Sequence, residues 1–67
     1  MNNYSYETIE LKKHDLIEFK ILYSYKQNRI GIVTSIETDL NFSYMVSILT
    51  ADLLEIIPYG IIEYKIL

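Results

Sequence analysis

The sequence predicts a single all-β domain of five or six short antiparallel strands curled into a small barrel. Short runs in which apolar and polar residues alternate recur along the chain, and polar or Pro- and Gly-containing breaks separate them. Apolar residues at helical spacing never extend beyond two turns. With 67 residues there is room for one domain. Curling into a barrel would remove the exposed edges of a sheet, and an open meander is the main alternative.

The first predicted elements follow a short tail. Residues 1–5 are expected to form this tail, so that the domain spans residues 6–67. Residues 6–11 alternate weakly and account for the optional sixth strand. Residues 16–23 alternate strongly, with the period of two that is typical of a half-buried strand.

A second strand is predicted after a polar turn at residues 24–28. Its alternate positions on one face are apolar or β-branched: Ile30, Ile32, Thr34 and Ile36. Gly31 lies inside this strand, although an interior glycine weakens packing. Its presence predicts a bulge, a sharp bend or the close approach of another backbone.

The remaining strands follow at short intervals. A turn at residues 38–41 leads into a third strand at 44–50, and a fourth strand is predicted at 53–57. Residues 58–60, Pro-Tyr-Gly, predict a turn because proline lacks the donor that a strand ladder needs. The apolar segment 61–67 is expected to form the last strand.

The apolar content is high for so short a chain. Hydrophobic residues make up 51% of the sequence, which includes seven Tyr and no Cys. A domain of this size buries only about 60% of the surface that its unfolded chain exposes. Disulfides are excluded, which leaves two interpretations open. Either the domain assembles with another protein or with itself, or the Tyr and Ile crowd a well-packed barrel with the tyrosine hydroxyls in water.

The net charge and the first residues of the chain indicate its class of partner and its cellular location. The net charge of −3 argues weakly against a nucleic-acid partner, although residues 10–30 are slightly basic and residues 31–67 are acidic. The opening residues lack the features of a signal peptide, and no apolar run is long enough to span a bilayer. We therefore expect a protein of a reducing cytoplasm with no membrane partner.

The ionisable residues do not predict an active site. His14 lies beside Asp15, but neighbouring residues of a strand point to opposite faces, and the chain has no Cys to complete a zinc site. The other carboxylate pairs are expected to be solvated: Asp52 with Glu55, and Glu37 with Asp39. Phosphate-binding glycine loops and nucleophile motifs are absent from the sequence. The prediction is a non-enzymatic protein without a catalytic residue, cofactor or metal site.

Three segments of the chain resemble the small SH3-like proteins of tailed bacteriophages. Residues 13–18, Lys-His-Asp-Leu-Ile-Glu, are similar to the start of the family's first strand, with His14 where Gly is usual. Residues 29–36 resemble its Gly-Ile-Val strand, and residues 44–67 resemble its remaining strands. The likeness covers residues 12–67.

This resemblance implies an SH3-like barrel and a phage accessory protein, such as a decoration, cement or other structural subunit, found in the virion or the host cytoplasm. The chain has no Trp, which argues against binding to proline-rich peptides. Tyrosine suits protein contacts because it buries a large rigid area and keeps a polar tip. The predicted partner-binding residues are Tyr4, Tyr6, Tyr23, Tyr25, Tyr44 and Tyr59.

Two other functions remain open from the sequence. Aromatic and basic residues alternate around the predicted first turn, at Tyr23, Tyr25, Lys26 and Arg29, which is the pattern of a surface for single-stranded nucleic acid. A KOW-like nucleic-acid-binding module is therefore one alternative. The other is a small inhibitor of a host protein, in which the acidic half of the chain mimics nucleic acid.

Overall fold

The computed structural model describes residues 9–25 and 27–67, which form one antiparallel sheet of five strands. The strands are β1 (Leu16–Ile21), β2 (Arg29–Thr38), β3 (Tyr44–Thr50), β4 (Leu54–Pro58) and β5 (Ile62–Ile66), with a 3₁₀ turn, η1 (Tyr59–Ile61), before β5. Their order across the sheet is β4-β3-β2-β1-β5. The all-β prediction is confirmed. Closure into a barrel is not, because β4 and β5 do not pair and the sheet is open.

Several predicted bounds differ from those observed. The third strand lies at residues 44–50 as predicted, but the first ends at Ile21 because Leu22 and Tyr23 form a turn. Residues 9–11 belong to no strand, so the optional strand at 6–11 is not present in its described part. Residues 1–8, and with them the predicted tail, Tyr4 and Tyr6, lie outside the described residues.

The hydrophobic core lies on one face of the sheet, which we call the inner face. Among the described residues, eight buried side chains form a single cluster: Leu11, Ile17, Phe19, Val33, Val46, Ile48, Ile57 and Ile62. Each strand contributes to it, including the edge strands β4 through Ile57 and β5 through Ile62. Both edges therefore bend toward one core. The sheet wraps around its inner face and leaves its outer face uncovered.

A bulge in β2 changes which residues reach the core. The pairing with β3 shifts between Val33 and Ser35, so Thr34 is an extra residue without a partner in the ladder. An extra residue reverses the inside–outside alternation beyond it. Ile36 therefore lies opposite the buried Val46, whereas Ile30 and Ile32 are exposed on the outer face. The prediction that these isoleucines share one face is wrong for this reason.

Gly31 is required by the close approach of β3. It pairs with Ile17 on one side and Thr50 on the other. A Cβ atom at this position would lie 2.5 Å from Cγ2 of Ile48 and 2.9 Å from the carbonyl oxygen of Leu49. Of the three predicted explanations, close backbone approach is confirmed. The bulge itself falls three residues later, at Thr34.

The turn before β1 contains a residue with an unfavourable backbone conformation. The N–H of Asp15 donates to the carbonyl of Lys12 at 3.1 Å, and His14, at the third position of this turn, has φ 82°. The N–H of His14 also donates to the carbonyl of Val33 at 2.7 Å, which attaches the turn to β2. Positive φ at this position favours glycine.

Replacing His14 with glycine is expected to stabilise the domain. The backbone strain of a non-glycine residue at positive φ costs about 1–2 kcal/mol, and the greater freedom of glycine in the unfolded chain cancels part of the gain. His14→Gly should therefore raise the free energy of unfolding by about 0.5–1 kcal/mol in urea denaturation. His14→Ala is the control, because alanine retains the strain. An equal gain in both variants would assign the effect to loss of the imidazole.

Candidate interaction surface

Five exposed Leu and Ile side chains form a row across the outer face of the sheet. In strand order from β4 to β5 the row consists of Leu54, Leu49, Ile32, Leu16 and Leu67. Ile32 lies directly opposite Leu16 and Leu49, and Leu49 lies directly opposite Leu54. Leu67, one residue after β5, donates its N–H to the carbonyl of Leu16 at 2.9 Å and so continues the register. We refer to these five residues as the apolar row.

The apolar row is incompletely covered within one copy of the chain. Its side chains are between 43% and 55% exposed, and Ile30 and Ile56 extend the exposed apolar surface beside it. Complete burial of a Leu or Ile side chain contributes about 1.5–3 kcal/mol of stabilising free energy. Each half-exposed member of the row would therefore gain about 1 kcal/mol more if a partner covered it. Among the described residues 13 large hydrophobic side chains are exposed, whereas 8 hydrophobic side chains are buried. Contiguous apolar surface of this kind marks interaction sites.

Beside the apolar row, the outer face is charged but balanced. Glu18 lies directly opposite Lys65, and Lys20 directly opposite Glu63. Asn28 donates to Oε2 of Glu18 at 2.9 Å. Cross-strand pairs of opposite charge stabilise a sheet modestly. With two acids and two bases, this part of the face has no excess positive charge to attract phosphate groups.

The described members of the predicted tyrosine set differ in exposure. Tyr23 and Tyr25 lie in the β1–β2 loop and are 95% and 105% exposed. Tyr44 begins β3 and Tyr59 begins η1, and both are half-buried. Tyr4 and Tyr6 are outside the described residues. The loop tyrosines are therefore the accessible members of the described set.

Tyr59 instead belongs to a polar cluster that attaches the first described residues to the sheet. Its hydroxyl lies 2.8 Å from that of Tyr64, and the Tyr64 hydroxyl lies 3.4 Å from Oε2 of Glu10. The N–H of Glu10 donates to the Tyr59 hydroxyl at 3.5 Å. Burial, followed by the hydrogen bond to Tyr59 and the charge of Glu10, raises the pKa of Tyr64 well above its usual value of 10. Both hydroxyls are engaged in hydrogen bonds within the domain.

Arg29 is also occupied within the domain. Its guanidinium makes a two-fold hydrogen-bonded ion pair with Glu55, in which Nη2 donates to Oε1 at 3.1 Å. The same group lies over the ring of Phe19, 4.9 Å from its centroid. It is therefore engaged at the edge of the core and is not free to bind phosphate. Lys26, the other cation of the proposed nucleic-acid surface, lies outside the described residues.

The β2–β3 loop presents two further apolar side chains. Oδ1 of Asp39 accepts hydrogen bonds from the N–H groups of Asn41 at 2.8 Å and Ser43 at 2.9 Å, which orders the loop. Leu40 and Phe42 at its tip are 98% and 86% exposed. This loop lies apart from the apolar row in sequence and supplies control positions for tests of that row.

Two of the carboxylates considered as candidate site residues make hydrogen bonds or an ion pair within the domain. Oδ2 of Asp15 accepts the N–H of Lys12 at 2.8 Å, while the N–H of the neighbouring His14 bonds to β2. Glu55 pairs with Arg29. Within residues 9–25 and 27–67, no group of three or more His, Asp and Glu side chains is placed to hold a metal ion.

Sequence reasoning missed the apolar row, although a signal for it is present. Strands buried on one face show one apolar residue in two, whereas three strands here contain consecutive apolar pairs. These pairs are Leu16-Ile17, Ile32-Val33 and Ile48-Leu49. In each pair one residue enters the core and the other joins the apolar row. Such pairs indicate a sheet that is apolar on both faces.

Comparison of the chain with family models, with curated proteins and with solved structures finds no match. In the part of the chain that the structure describes, no helix has the length and apolar character needed to cross a membrane.

Proposed function

We propose that this chain is a non-enzymatic protein–protein interaction module whose contact surface is the apolar row. The observation that carries the proposal is the row itself, which spans the sheet and is about half-exposed at each position. Protein interfaces combine an apolar centre that is depleted of charge with a polar rim. The row supplies the centre, and the balanced charges of Glu18, Lys20, Glu63 and Lys65 supply one side of the rim.

The fold proposed for the module is an SH3-like barrel. Three features support it: both edge strands contribute to one core, a bulge bends the long β2 strand, and η1 packs against the core through Tyr59 and Ile61. A bulge increases local twist, which favours curling of a sheet. The resemblance of residues 13–18, 29–36 and 44–67 to small SH3-like proteins supports the same fold.

The setting proposed for this module is a bacteriophage particle, in which the chain is an accessory subunit such as a decoration or cement protein. The resemblance to SH3-like phage proteins supports this setting. Tyr23 and Tyr25 are exposed in the β1–β2 loop and extend the proposed contacts beyond the apolar row. The chain would act in the virion or, before assembly, in the host cytoplasm.

Quantitative mass spectrometry of purified virions from the source phage tests this proposal. The chain should be present in a fixed ratio to the major capsid subunit. Ile32→Lys places a charge in the centre of the row, and its incorporation should fall by about tenfold or more. Leu40→Lys is the matched control, because the same substitution at the exposed loop tip lies outside the row, and its incorporation should equal that of the unmodified chain.

Absence of the chain from particles and from every complex isolated from infected cells would contradict the proposal. Equal incorporation of Ile32→Lys and Leu40→Lys would be consistent with a virion protein but would show that the apolar row is not its contact surface.

A further inference from the structure

We infer that the β2–β3 loop is a second docking site, which inserts Leu40 and Phe42 into an apolar pocket with a basic rim on another protein. That protein is distinct from the one that contacts the apolar row. The inference goes beyond the proposed function and does not depend on it. Residues 37–44 carry the site, and we refer to them as the loop tip.

The loop tip lies away from the apolar row. The last residue of β2 that pairs with β1 is Ile32, and β2 continues along β3 to Thr38. The six residues that follow Ile32 in β2 span about 20 Å at the usual rise of a strand. The loop tip therefore lies at the far end of the β2–β3 hairpin, where a partner can reach it without covering the row.

Two large apolar side chains of the loop tip are almost fully exposed. Leu40 is 98% exposed and Phe42 is 86% exposed, more than any member of the apolar row. Phe42 also has φ 62°, a backbone conformation that bulky residues rarely adopt. Glycine would relieve this strain and would leave no aromatic ring in water. The ring makes little contact within the domain, and strained residues of this kind concentrate at functional sites.

Hydrogen bonds order the loop tip before any partner binds. Oδ1 of Asp39 accepts the N–H groups of Asn41 at 2.8 Å and Ser43 at 2.9 Å. The N–H of Asp39 donates to the carbonyl of Ser43 at 2.9 Å, and its carbonyl accepts the N–H of Phe42 at 3.0 Å. These bonds fix the backbone that carries Leu40 and Phe42. Ordering in advance lowers the entropic cost of binding, and aromatic anchors that enter a pocket dominate many interfaces.

The charge of the loop tip indicates the class of partner. Its sequence contains Glu37 and Asp39 and no Lys, Arg or His. These acids repel the phosphates of nucleic acid and the surface of an anionic membrane. A protein pocket can surround Leu40 and Phe42 with apolar side chains and present Lys or Arg to the two acids at its rim. A protein with such a pocket is therefore the partner that fits.

Photocrosslinking in the cells that naturally produce the chain, followed by mass spectrometry, tests the inference. A benzophenone-bearing amino acid in place of Phe42 should form an adduct with one protein, about tenfold more abundantly than the same amino acid in place of Leu53. Leu53 is the matched position, because it is 49% exposed in the turn between β3 and β4, outside both the loop tip and the row.

Titration calorimetry of the purified full chain with the crosslinked protein measures which residues carry the affinity. Leu40→Lys and Phe42→Ala should each weaken binding by about 100-fold, because each removes an apolar anchor from the pocket. Glu37→Lys should weaken binding by about tenfold, because it places like charges at the rim. Leu53→Lys should leave the dissociation constant unchanged.

Two substitutions of Asp39 separate the order of the loop from its charge. Asp39→Asn removes the charge and retains an oxygen that can accept both N–H groups, whereas Asp39→Ala removes the charge and the acceptor. Asp39→Ala should bind about tenfold more weakly than Asp39→Asn, because Leu40 and Phe42 then lose their fixed backbone. Circular dichroism of each variant confirms that the sheet is folded.

Several results would overturn the inference. These are adducts at position 42 no more abundant than at position 53, an adduct with nucleic acid, lipid or the partner of the apolar row, and binding insensitive to both Leu40→Lys and Phe42→Ala. Stronger binding of Glu37→Lys would also overturn it, because the rim would then be acidic. Failure of the proposed function is read separately, since Ile32→Lys tests incorporation into particles and these variants test binding of the second protein.

Discussion

Phe19→Ala is expected to lower the free energy of unfolding by about 4 kcal/mol, which is enough to unfold much of a domain this small. Phe19 is the largest fully buried side chain in the part of the chain that the structure describes, and it is only 1% exposed. Truncation removes its apolar contacts and leaves a cavity in a core of eight side chains. The guanidinium of Arg29 also loses the ring that it covers at 4.9 Å.

Urea denaturation followed by circular dichroism measures this loss, and Phe42→Ala is its matched control. Phe42 is 86% exposed at the tip of the β2–β3 loop, so the same truncation there should change stability by less than about 0.5 kcal/mol. Similar losses for the two variants would mean that the inner face of β1 is not the core of the domain.

Gly31→Ala should destabilise the domain by about 3 kcal/mol, at the upper end of the usual cost of overpacking. The added methyl group would lie 2.5 Å from Cγ2 of Ile48, which is itself fully buried, and 2.9 Å from the carbonyl oxygen of Leu49. Because Ile48 is fully buried, its side chain is packed among core neighbours and cannot turn out into solvent. Separation of β2 from β3 is the remaining response, and it weakens the ladder between them.

Gly60→Ala is the control for this variant and should act in the opposite direction. Gly60 lies in η1, where a Cβ atom would meet nothing within 4 Å, and its φ is not positive. Loss of glycine's freedom in the unfolded chain should stabilise the domain by about 0.4–1 kcal/mol. Thermal unfolding of both variants beside the unmodified chain makes the comparison. A stable Gly31→Ala protein would contradict the close approach of β3 at this position.

Local chemistry predicted much of the fold correctly. The alternation of Tyr44, Val46 and Ile48 with the residues between them predicted the third strand at residues 44–50, where the structure places β3. A turn was predicted at residues 38–41, and the structure has a loop there in which Oδ1 of Asp39 accepts the N–H groups of Asn41 and Ser43. Alternation and turn formation depend on neighbouring residues, so a single sequence contains the necessary information.

The candidate site was poorly predicted, since it depends on contacts between distant residues. Tyrosines were chosen for their chemistry alone, yet the Tyr59 hydroxyl is engaged by Tyr64, on the strand that follows, and by Glu10, which is 49 residues away in sequence. The bulge at Thr34 depends on pairing with Ser47 and its neighbours on β3. Without that pairing, the opposite orientations of Ile32 and Ile36 could not be inferred.

The β class and the positions of most strands follow from local sequence patterns, because a period of two and the residues of turns act over a few positions. Which of the two apolar faces enters the core depends instead on how the strands pair in the folded domain. Leu16, Ile32 and Leu49 are as apolar as the residues buried beside them, and the strand register and one bulge place them outside. Register aligns them in a row, because residues that pair across strands share a face.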